Sequence, residues 1–187
     1  MRSKGISTRK INLLVGWLLY PLGDLLGQVL LGRFSLERTG VITLLGGLLY
    51  RFEIPRWFLM LDNYRPASKA ILLPFTNKSG PRTGHLNWLG RTLGAMAYFN
   101  PLWIARHVFF IYLATHQFQL PDGLSTVLID CLKVGWQSFL ANLPISLLGN
   151  YLIQEKLPYQ YRFAGSAGLS AFMASLYALE YWFFQQR

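Results

Sequence analysis

YPLGDLLGQVLLG, Tyr20 to Gly32, sets an acid, an amide, a proline and three glycines into a run otherwise made of Leu and Val. Wound at 100° per residue, Gly16, Gly23, Gly27, Tyr20, Asp24 and Gln28 fall within an arc of about 140°. Leu18, Leu19, Leu22, Leu25, Leu26 and Val29 lie outside it. A helix divided this way turns its leucines to lipid and its small and polar face to other helices. The stretch therefore reads as part of a membrane-spanning helix, with Pro21 expected to kink it.

The composition agrees. The chain has 187 residues, of which 52% are hydrophobic and 14% charged, against about 25% charged in an ordinary soluble domain. Mean hydropathy is positive, +0.29. The net charge of +10 would suit nucleic acid only if the basic residues shared a water-facing surface. They flank the apolar runs instead, where headgroups favour them, so no nucleic-acid partner is expected. The lone Cys131 excludes an internal disulfide and a Cys-rich metal site.

A bilayer core takes about 20 mostly apolar residues per helix. Five segments approach this: Ile11–Leu31, Thr39–Leu61, Ala97–Gln117, Ser125–Ile153 and Phe163–Phe184. The second is interrupted by Arg51, Glu53, Pro55 and Arg56, and the fourth is long enough to predict tilt or a break at Pro144. Eleven basic residues (Arg2, Lys4, Arg9, Lys10, Arg65, Lys69, Lys78, Arg82, Arg91, Lys156, Arg162) fall on one side of these spans. Three (Arg33, Arg38, Arg187) fall on the other. The asymmetry places the N-terminus inside and the C-terminus outside. The expected fold is a single all-α domain over 1–187, a polytopic transmembrane bundle of about five helices. Its long loop, 63–96, contains ASKAILLPF and GHLNWLGRTLG, which mix apolar and basic residues as interfacial helices do.

Ionisable groups at mid-membrane are costly and usually paired. Asp24 in the first span and Arg106 in the third differ in depth by only about 6 Å, which predicts an Asp24–Arg106 pair. Asp130 and Lys133 can pair at i,i+3 near the end of the fourth span. Together with Gln28 and Asn150 these residues are the candidates for a polar path or for intramembrane pairing. Gly16, Gly23 and Gly27 in the first span, and Gly168, Ala171 and Ser175 in the fifth, are the candidates for close helix packing. No hydrolase triad, phosphate loop, zinc motif or carboxylate pair stands out. No enzymatic activity, metal or cofactor is expected beyond bound lipid. The expected partners are the bilayer, anionic lipid on the basic side, and a second copy or a larger membrane complex.

The chain resembles the Mpv17/PMP22 family of small multi-span membrane proteins. The resemblance rests on Gly23-Asp24-Leu25-Leu26-Gly27-Gln28, Arg38-Thr39, Leu45-Gly46, Trp57, Leu61-Asp62, Phe99-Asn100-Pro101, Leu143-Pro144, Asn150-Tyr151 and Pro158-Tyr159-Gln160-Tyr161-Arg162. It departs where Leu143 takes a tryptophan position and where Ala95-Met96 replaces an Asp-Gln. The resemblance implies channel-like permeation of ions or small solutes and membrane homeostasis. It also implies a mitochondrial inner or other organelle membrane in a eukaryote, or the cytoplasmic membrane in a bacterium. The alternative is a structural or accessory subunit of a larger assembly.

Overall fold

The computed structural model describes residues 7–66 and 73–185. Arg2, Lys4, Lys69 and Arg187, and most of ASKAILLPF, lie outside them. The described chain is all-α: its only bridge outside helices is the isolated pair Thr76–Leu86. Six helices are numbered here: α1 (Thr8–Leu30), α2 (36–63), α3 (88–115), α4 (Leu124–Ala141), α5 (143–156) and α6 (Tyr159–Gln185). Grouping α4 with α5, they coincide with the five expected segments.

Several details follow from prolines and glycines. Pro21 has no N–H to give and its ring would strike a carbonyl one turn back. The turn before it, Val15–Leu19, widens to π-helical spacing, which accommodates both defects. A second π-helical turn, Phe99–Trp103, encloses Pro101. The expected break in the fourth segment occurs at Asn142 (φ −107°), immediately before Leu143-Pro144. Pro55, in contrast, is carried inside α2, which continues to Asn63. GHLNWLGRTLG is not a separate interfacial helix: from Trp88 onward it is the start of α3, nine residues before the expected Ala97.

Among the described residues one helix is long and apolar enough to cross a membrane. It is Thr8–Leu30, with 23 residues and a mean hydropathy of 1.5 over its most apolar window. Charge is the reason α2 falls short, since it carries Glu37, Arg38, Arg51, Glu53, Arg56 and Asp62. The described chain is therefore all-α, and the apolar-span measure is met by one helix.

The chain packs as two compact units. Unit one comprises Met1–Ile54, Phe110–Gln119 and Tyr159–Arg187. Here α1 packs on the first part of α2 and on α6. Its buried face is Val15, Gly16, Tyr20, Pro21, Gly23, Asp24, Gly27 and Gln28. Leu14, Leu18, Leu22, Leu26 and Val29 are exposed in a column. Gly16 meets Gly46 across two facing π-helical turns: a Cβ on either glycine would collide with the other's carbonyl oxygen. Gly23 lies against Ala171, where an added Cβ would come within 2.6 Å of the alanine's own. The buried ring of Tyr20 packs at a tilt against those of Tyr50 and Phe163, with centroids 5.1 and 6.0 Å away. Unit two comprises Pro55–Phe109 and Leu120–Pro158. There the start of α3 packs on α5, and α4 packs on the turn at Pro101 through Gly135.

Candidate functional site

In unit one, α1 closes with Gly32 at φ +63°, a conformation that glycine adopts without steric cost. Arg33 N–H reaches back to Gln28 O at 3.1 Å and Gly32 N–H to Val29 O at 3.1 Å, a Schellman ending. Ser35 then caps α2, its Oγ accepting from Arg38 N–H at 3.2 Å. The result is a tight turn between antiparallel helices, and it returns Arg38 and Thr39 to the level of Asp24 and Gln28.

Those four side chains form one network. Asp24 Oδ1 accepts from Arg38 Nε at 2.7 Å and from the adjacent terminal nitrogen at 2.7 Å. Asp24 Oδ2 accepts from Gln28 Nε2 at 2.6 Å. Gln28 Nε2 also reaches Thr39 Oγ1 at 2.8 Å, while Gln28 Oε1 accepts from Ser35 N–H at 2.6 Å. The Thr39 hydroxyl lies 3.2 Å from Ser35 O and 3.4 Å from Asp24 Oδ2. The Asp24 side chain is 2% exposed and that of Arg38 23%. The carboxylate is thus neutralised and sealed from solvent. Its ion-pair partner is Arg38, not Arg106 as depth matching predicts, because a short turn aligns neighbouring helices more closely than equal depth aligns distant ones.

A second network lies in unit two. Arg91, 9% exposed, donates to Glu155 Oε1 from Nε at 2.8 Å and from a terminal nitrogen at 2.5 Å. Its other terminal nitrogen donates to Leu86 O at 3.1 Å, and Asp62 Oδ1 is 3.8 Å from its Nε. Arg91 therefore ties the end of α2, the start of α3 and the end of α5. Arg91 reads in the sequence as a loop charge facing headgroups. The structure makes it a buried tie; Asp62 stands in the sequence only as part of the Leu61-Asp62 pair, and Glu155 carried no signal of its own. Beside it, Asn142, Ser146, Asn150 and Gln154 recur every four residues along the end of α4 and α5, and all are buried. Asn150 Nδ2 donates to Ser146 O at 2.8 Å and Asn142 Nδ2 to Ser138 O at 3.1 Å, so these amides bond their own helix.

The remaining candidates are dispersed. Asp130 and Lys133 do pair, at 3.0 Å, with side chains 62% and 66% exposed. Within unit two this exposed pair and the buried Asn150 do not share a site. Of the packing candidates, Gly16, Gly23 and Ala171 lie in helix contacts, and a Cβ on Gly27 would lie 3.8 Å from Ala174 O; the Ser175 hydroxyl donates to Ala171 O, one turn back in its own helix. Gly168 lies in no such contact: it is exposed and a Cβ added there would meet no neighbour within 4 Å, because the contact line of α6 runs through Ala171 and Ala174.

Compared with family models, curated proteins and solved structures, the chain gives no match.

Proposed function

We propose that the chain is an integral membrane protein of Mpv17/PMP22 type, crossing the bilayer about five times with its N-terminus inside. Its buried charges then act as braces, and the protein serves as a structural or accessory subunit of a larger membrane assembly. The membrane reading is supported by the length and hydropathy of Thr8–Leu30 and by the exposed column Leu14, Leu18, Leu22, Leu26 and Val29, an apolar surface that water would penalise. The choice of a brace over a conducting site is carried by one observation. Both oxygens of Asp24 are occupied by protein donors, and the side chain is 2% exposed. A carboxylate that selects ions must be able to exchange protein contacts for the ion.

The test is native electrophoresis of membranes solubilised in mild detergent. The chain should migrate well above its own 21.4 kDa plus micelle, in an assembly that persists on dilution. Free migration as a monomer would contradict the subunit reading. Channel-like permeation is the second reading, favoured by the buried polar stripe Asn142, Ser146, Asn150 and Gln154. It requires solute flux in reconstituted vesicles that Asn150→Leu lowers; flux equal to that of empty vesicles removes it.

A further inference from the structure

Arg38 and Arg91 each have a carboxylate from their own unit. Arg51 differs. It follows the π-helical turn Leu45–Tyr50 in α2 and is half-buried. Its Nε is sealed from solvent with no hydrogen-bond partner, and among the described residues no carboxylate pairs with it. Glu53 is two residues on, about 200° around the helix. The guanidinium instead lies over the ring of Phe52, 4.3 Å from its centroid, and Phe52 is 44% exposed. The guanidinium carbon is thus held over an aromatic ring that is itself part-exposed.

Its depth follows from α1. A Cβ on Gly16 would lie 3.1 Å from Arg51 Cβ, and Gly16 is five residues beyond Ile11, where the apolar span begins. That is about 8 Å from the inner edge, within reach of a snorkelling arginine. Arg9 and Lys10 are exposed just below. A guanidinium near the interface without a protein counterion needs an anion from elsewhere, and a planar fork matches a phosphate better than a lone ammonium would.

We propose that Arg51, seated on Phe52, binds the phosphate of an anionic phospholipid from the inner leaflet. The inference rests on the membrane reading above. A free phosphate would present the same oxygens, but only a lipid also covers the exposed Phe52 with acyl chain.

The experiment has two stages. Carbonate-washed membranes are assayed first for the wild-type chain. If it washes off, the membrane reading and this inference both fall. If it stays, the purified protein is melted in phosphatidylcholine and in phosphatidylglycerol nanodiscs. Phosphatidylglycerol should raise the melting temperature by roughly 3 °C and leave one or more of its molecules attached in native mass spectrometry. Arg51→Gln should lose both signals, and Arg51→Lys, which keeps the charge without the fork, should retain a smaller shift. Inorganic phosphate should have no effect on the wild type in phosphatidylcholine. An undiminished phosphatidylglycerol shift in Arg51→Gln overturns the proposal, as does a full shift from inorganic phosphate. If Arg51→Gln does not fold, an undiminished shift in Arg51→Lys overturns it equally.

Discussion

The two braces use the same chemistry over very different lengths of chain. In unit one, Asp24, Gln28, Arg38 and Thr39 are at most 15 positions apart. In unit two, Arg91 and Glu155 are separated by 64. The first can form as soon as the α1–α2 turn closes, at little cost in loop entropy. The second forms only when the ends of three helices have met, so it reports on the assembly of the whole unit. The two also differ in depth of burial. The Asp24 side chain is 2% exposed, whereas those of Asp62 and Glu155 are 15% and 19% exposed. Water can therefore reach Asp62 or Glu155 when its partner is lost, and cannot reach Asp24.

This difference ranks the expected effects of substitution. Arg38→Leu leaves the sealed Asp24 carboxylate without a counterion, and should destabilise by about 4 kcal/mol. Thermal unfolding in a nanodisc measures this, and a loss under about 1 kcal/mol would show that solvent reaches the site. Arg91→Leu should lose about 2 kcal/mol, because Glu155 is left charged but partly hydrated. Gln28→Leu should lose about 1.5 kcal/mol through the unsatisfied Ser35 N–H, and hydrogen exchange should speed up at Ser35 while the rest of α2 is unchanged. Lys133→Ala should change stability by less than about 0.5 kcal/mol, as its exposed pair with Asp130 is screened by solvent. A larger loss there would mean that this surface is covered in the folded assembly.

Much of unit one is legible in the sequence. Helical winding alone separates the buried Gly, Asp and Gln of α1 from its exposed leucines. The missed partner was legible too, through a different rule. Gly32 and Ser35 mark a short turn, and residues on either side of a short turn meet; Arg38 satisfies that rule and Arg106 does not. Unit two is less legible. No spacing relates Arg91 to Glu155, and the π-helical turn Leu152–Lys156 that ends α5 shifts the register of its side chains. Gly168 shows a finer limit: periodicity places it near a face without saying where on that face the neighbour lies.

The most direct test is a double-mutant cycle on Asp24→Leu and Arg38→Leu, read by thermal unfolding in lipid. If the pair is a sealed brace, each single change is costly, the double change recovers most of the loss, and the coupling is about 3 kcal/mol. Losses that simply add would contradict it, and Asp24 would then be a charge that faces something other than Arg38.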